Sequence, residues 1–225
     1  MTSIEPGPPR SSAAYRNLGI FLCGQGLSNI GTFSQALALA LLVLEVTDSG
    51  FALGATLSVQ ALPYVLLSGW AGPLLDRVPL RRLMPVTALV GALQAATLTV
   101  LALTDGITLP WVISLAFVLG CVQVFERPAV QAFLGELVPP AAIPRAVSLA
   151  SAVQAFGRLG GPALAAVLYA RQGPALVFAV NAASYLMVVG ARVHGPSNPD
   201  RSLWHRPTLW APSKAVISRS SKPMR

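Results

Sequence analysis

The chain has 225 residues, 54% of them hydrophobic and only 11% charged, with a formal net charge of +8. Soluble domains carry about 25% charged residues, so this deficit and a mean hydropathy of +0.63 exclude an ordinary water-facing globule and point into lipid. The basic excess does not form a nucleic-acid-binding stripe, because residues 195–225 supply +5 and the other +3 is scattered at the ends of apolar runs.

Residues 1–17 read as a short, mostly polar lead with Arg10 and Arg16, and the apolar run after it exceeds the length of a cleavable signal's hydrophobic region, so that run reads as a retained span. Residues 18–44 form the first span, closed by an acidic turn, Glu45-Val46-Thr47-Asp48-Ser49-Gly50. Residues 51–75 form the second, with Pro63 inside it, which membrane helices tolerate. A short loop with one Asp and three Arg follows, within Gly72-Pro73-Leu74-Leu75-Asp76-Arg77-Val78-Pro79-Leu80-Arg81-Arg82. The third span is 83–103, and Thr104-Asp105-Gly106 turns the chain into a fourth at 109–125. Residues 126–145 read as an amphiphilic, proline-punctuated connector. The fifth span is 146–170, Arg171-Gln172-Gly173 is a turn, and 174–191 is the sixth. Runs of about 20 apolar residues match a hydrocarbon core of about 30 Å at ~1.5 Å per helical residue. The expected fold is therefore all-α and transmembrane, a six-helix bundle over 18–193, followed by a basic tail at 194–225 expected to be disordered and cytoplasmic. A second reading of that tail is that a longer protein stops or loses frame near it.

Topology follows from basic residues on short loops. With the N-terminus inside, Arg10, Arg16, Arg77, Arg81, Arg82, Arg127, Arg145 and Arg192 all lie inside, and only Arg171 lies on an outer turn. Both termini are expected in the cytoplasm, in a multi-pass protein of the plasma (inner) membrane.

The spans also carry polar groups. Gln25, Asn29 and Thr32 recur at helical spacing on the first, with Ser28 and Gln35 close to that stripe. The fifth repeats the pattern with Ser151, Gln154 and Arg158. Amides and guanidinium groups at mid-membrane must face neighbouring helices or a wet cavity, so these residues are candidates to line a substrate path, with interhelical hydrogen bonding as the plain alternative. Gln123 and Glu126 join them from the fourth span, and Glu126 is a candidate partner for Arg158. The third span, with only Gln94 and scattered Thr, reads as the lipid-facing one. Gly157, Gly160 and Gly161 before Pro162 form a small-residue patch that admits another backbone.

No catalytic constellation emerges: His194 and His205 lie at or beyond the last span without a nucleophile or paired carboxylates. The protein is not expected to be an enzyme, and no cofactor or metal site is expected. Cys23 and Cys121 lie inside apolar runs and read as small buried hydrophobes.

With these residues in view, the chain resembles the N-terminal half of a major facilitator superfamily transporter, in its drug and siderophore exporter branch. Four segments carry the resemblance: Gly72 with Asp76-Arg77 and Arg81-Arg82; Phe125-Glu126-Arg127-Pro128-Ala129 leading to Glu136-Leu137-Val138-Pro139; Gly157 before Gly161-Pro162; and Glu45-Val46-Thr47-Asp48-Ser49. Leu80, Val130, Gly135 and Ala165 depart from the branch's pattern. The resemblance implies two six-helix halves rocking about a midplane site, each half built of inverted repeats. The first and fourth spans would line the cavity with help from the second and fifth. Gly72, Asp76, Arg77, Arg81 and Arg82 would form a gating loop, and Gly157, Gly161 and Pro162 an exporter-like helix motif. Export of a drug- or siderophore-like small molecule would be coupled to protons, through Glu126 or a site in the missing half. The expected partners are the bilayer, the small-molecule substrate, protons, and either the missing C-terminal half or a second copy in a homodimer. A non-transporting six-helix remnant, or an assembly subunit, is the alternative from a different class.

Overall fold

The computed structural model describes residues 11–193, including side chains except those of 11–14, 71, 74–76, 81 and 191–193. The lead at 1–10, the tail at 194–225 and both histidines thus lie outside the described residues. Five long helices occupy the rest: α1 Ser11–Thr47, α2 Gly50–Arg77, α3 Leu80–Leu103, α4 Leu109–Leu137 and α5 Ile143–Val193. All five are long and apolar enough to cross a membrane. α5 covers two of the predicted spans, because Gly173 adopts φ 72° and ψ −169° and breaks it into arms at 143–172 and 174–193. Only glycine occupies that region without strain, so the expected turn at Gly173 stands, and six spans result.

Each turn is set by local chemistry. After α1, Asp48 takes a left-handed φ of 45°, a conformation Asp tolerates better than most residues. Ser49 then accepts the Ala52 N–H on its hydroxyl at 3.3 Å, capping α2. Asp105 repeats the left-handed turn with φ 50°, and the Gly106 N–H reaches back to the Leu101 carbonyl at 3.1 Å.

Two expected loops are shorter than the sequence reading has them. Only Val78 and Pro79 separate α2 from α3, so Arg77 ends one helix and Arg82 lies in the first turns of the next. Pro79 sets this boundary by disfavouring helical geometry at the residue before it, and the Arg82 N–H bonds its carbonyl at 2.8 Å. The connector after the fourth span is largely helical too, because α4 continues through Pro128 to Leu137 and only Pro140–Ala142 makes a 3₁₀ turn. Likewise, α1 begins inside the predicted polar lead. Hydropathy marks where lipid ends, whereas a helix continues into the interface until a proline or turn stops it.

The core is layered along the bundle. At one end Leu39, Leu42 and Val43 of α1 meet Ala52, Leu98, Val112, Leu115, Ala165 and Phe178. At the other, Leu18 and Leu22 meet Leu134, Val138, Ala146 and Ala150, while Met84 meets Ala129 and Val130. This alternation of ends is the up-and-down course that short turns dictate. α1 lies mainly against α5, α3 against α5 and α4, and α2 against α4. In lipid the hydrophobic effect does not press helices together, so close approach and polar contacts must.

Close approach occurs where glycines allow it. A Cβ at Gly161 would lie 2.6 Å from Phe33 Cβ and 2.9 Å from the Ile30 carbonyl, and one at Gly157 would lie 2.8 Å from Asn29 Cβ. Gly160, third in the expected patch, points instead into open space and is exposed. At the α2–α4 crossing a Cβ at Gly120 would collide with the Gln60 carbonyl and lie 3.0 Å from Pro63 Cγ. Each of these crossings thus pairs glycine with a helix carrying, or running beside, an in-span proline.

Candidate functional site

The polar stripe of α1 divides between two neighbours. Gln25 is buried and donates to Asn29 Oδ1 at 3.4 Å. Thr32 lies 3.1 Å from the Tyr185 hydroxyl on the second arm of α5. Ser34 donates to the Gly161 carbonyl at 2.8 Å, fastening α1 to the first arm.

Deeper in the bundle, Gln35 joins a relay through four spans. Asn181 Nδ2 donates to Gln35 Oε1 at 2.7 Å, Gln35 Nε2 donates to Gln94 Oε1 at 3.0 Å, and Gln94 Nε2 donates to the Leu115 carbonyl at 3.2 Å. Gln35 and Asn181 are fully buried, and Gln94 is 2% exposed. Gln94 therefore turns inward and corrects the expectation that the third span is simply lipid-facing. That span does present Val86, Leu89, Leu93 and Val100 outward, but α2, with Leu57, Val65, Leu66 and Trp70 exposed, is the least covered helix. Asn181 was missed in the sequence reading, although Asn181, Ser184 and Tyr185 form a helically spaced polar set within an apolar run.

The fifth-span residues separate. Ser151 is exposed and bonds its own helix at the Val147 carbonyl, 2.9 Å away. Gln154 is half-buried and Arg158 exposed. Arg158 does not pair with Glu126 as expected; its guanidinium carbon instead lies 5.7 Å from the centroid of the Phe33 ring, within cation–π range. Glu126 itself is 9% exposed, on α4 beside a second such contact, where the Arg127 guanidinium carbon sits 5.4 Å from the Tyr64 ring. Tyr64 donates its hydroxyl to Gln123 Oε1 at 3.3 Å. Tyr64 and Phe33 were not anticipated, because an aromatic residue in an apolar run carries no signal until its partner is known.

Of the loop residues, Gly72, Arg77 and Arg82 are exposed. The side chains of Asp76 and Arg81, the other members of the expected gating loop, lie outside the described residues. Cys121 is half-buried, but Cys23 is exposed on α1, against the expectation of burial. At the end of the bundle that holds the acidic turn, Tyr169 donates to Glu45 Oε2 at 2.6 Å and ties α1 to the first arm of α5.

Across the described residues the arrangement offers a tightly crossed helical frame, a buried amide relay that holds the frame, and guanidinium groups shelved on aromatic rings at two crossings. Comparison with known proteins matches that character. A family model described as transmembrane secretion effector matches residues 8–206. The chain is 26% identical over 168 residues to macrolide efflux protein A of Streptococcus pyogenes, covering 75% of this chain and 40% of that protein. It is 29% identical over 170 residues to the staphyloferrin A transporter of Staphylococcus aureus, covering 75% and 43% respectively, and 28% identical over 173 residues to an uncharacterized MFS-type transporter of Bacillus subtilis, covering 76% and 40%. The chain thus spans about two fifths of the length of these curated relatives. It belongs to the transmembrane secretion effector family of the major facilitator superfamily.

Proposed function

We propose that the chain forms one six-span half of an efflux-type facilitator that exports small molecules across the plasma membrane by alternating access. The observation that carries this reading is Arg158, an exposed guanidinium midway along a membrane span. A permanent charge at that depth is costly against lipid and must face protein or water, as the wall of a transport path does. Gln25, Asn29, Thr32, Gln123, Glu126, Ser151 and Gln154 supply further polar groups to that wall. The opposing wall would come from a second six-helix half or from a second copy in the same orientation.

In this reading both termini are cytoplasmic, and Asp76 with Arg77, Arg81 and Arg82 restrains the cytoplasmic gate. Coupling to protons would use Glu126 or the opposing half. The similarity to a macrolide efflux protein and to a staphyloferrin A transporter motivates a drug- or siderophore-like cargo. The test is substrate-dependent flux in proteoliposomes holding the 225-residue chain, run beside Asp76→Asn and with crosslinking for dimers. Flux that falls in the variant supports a working gate, whereas absence of both flux and dimers favours the non-transporting alternative.

A further inference from the structure

The first arm of α5 has three distinct faces. Gly157 and Gly161 are buried against α1. Phe156 and Val167, 73% and 52% exposed, lie about 160–180° around the helix from Arg158 at ~100° per residue and make an apolar face suited to lipid. The remaining side holds Ser151, Ala155 and Arg158, all exposed, with Pro162 one turn beyond Arg158. This third face carries polar side chains of the arm, and from it Arg158 reaches Phe33 of α1.

Arg158 is shaped for recognition there. Phe33 supports its guanidinium from α1, and the Phe33 backbone is itself held by the crossing with Gly161. The shelf is therefore as rigid as the crossing, and the guanidinium is ordered before any ligand arrives. Among the described residues no carboxylate pairs with it, and the Phe33 ring takes its face rather than its hydrogen-bonding edge. Both groups lie about 22 Å along their helices from the turns at Thr47 and Gly173, at ~1.5 Å per residue, which is beyond the depth of lipid headgroups. The same construction recurs with roles exchanged where Arg127 of α4 rests over Tyr64 of α2. There, however, the neighbouring residue is the carboxylate Glu126, so Arg158 is the cleaner positive site.

We propose that Arg158 and Phe33 form a subsite for the oxyanion of a carboxylate-bearing small molecule with a flat apolar body, the guanidinium taking the carboxylate and the ring edge the body. This rests on the transport reading above and narrows its cargo from small molecules in general to organic anions. A preorganised, bidentate guanidinium–carboxylate pair is stronger and more selective than a lysine contact.

The test uses the 225-residue chain in phosphatidylcholine nanodiscs free of anionic lipid, with dansylglycine as the anionic probe and dansylcadaverine as its cationic counterpart, read by dansyl fluorescence. Wild type is expected to bind dansylglycine more tightly than dansylcadaverine. Arg158→Gln should weaken dansylglycine binding about tenfold or more and leave dansylcadaverine unchanged. Arg158→Lys should restore part of the preference, and Phe33→Leu should weaken dansylglycine binding while the helix content by circular dichroism stays constant. Binding of neither probe, a preference for the cation, or a preference that survives Arg158→Gln overturns the subsite. Flux distinguishes this failure from that of the transport reading: transport without charge preference removes the subsite alone, and charge-selective binding without flux removes transport alone.

Discussion

Gln35 makes two of the three side-chain hydrogen bonds that stitch four spans together, and it does so fully buried. Replacing it with an apolar residue strands Asn181 Nδ2 and Gln94 Oε1 at once. Interhelical hydrogen bonds in membrane proteins average about 0.6 kcal/mol, and each buried amide left without a partner costs about 1–3 kcal/mol. Gln35→Leu should therefore lower the unfolding free energy by about 2 kcal/mol in mixed micelles titrated with sodium dodecyl sulfate. Pairing it with Asn181→Leu should cost less than the sum of the two single changes, since the second removes a group the first has already stranded. Additive losses would show that the relay is not a unit.

Between elements, stability depends on which glycines sit at a crossing. Gly161→Ala drives a methyl group into Phe33 Cβ and the Ile30 carbonyl, and forced overpacking of this kind costs about 1–3 kcal/mol. Gly160→Ala, one residue away, meets nothing within 4 Å and should leave stability level or raise it by up to about 1 kcal/mol through helix propensity. Thermal unfolding of the two variants in the same detergent checks the contrast, and equal losses would sink it. Gly173→Ala acts differently, through the backbone: its φ of 72° and ψ of −169° should cost about 1–3 kcal/mol.

For the whole molecule, orientation is the prediction that separates the readings. In membranes of intact cells, a cysteine at Ser49 should react with an impermeant maleimide from outside and one at Val78 should not, with Cys23 and Cys121 replaced by Ser. The reverse pattern would place the arginine-rich turns outside and dissolve the proposed gate.

Composition and run length alone determined that the chain is helical and membrane-spanning, and they located six spans, because the cost of exposing peptide groups to lipid leaves few alternatives. They also located the turns at Asp48, Asp105 and Gly173 from turn chemistry. They misjudged where helices stop, since α2 and α4 run on into charged sequence until Val78-Pro79 and Pro139 intervene. Gln25, Asn29, Thr32 and Arg158 were legible as residues out of place in an apolar run. Their partners were not. Whether Gln94 faces lipid or Gln35, whether Arg158 meets Glu126 or Phe33, and which of three glycines carries a crossing depend on how one helix is rotated against another. That rotation is decided by side-chain interlock across the whole bundle, so it appears only in the tertiary structure.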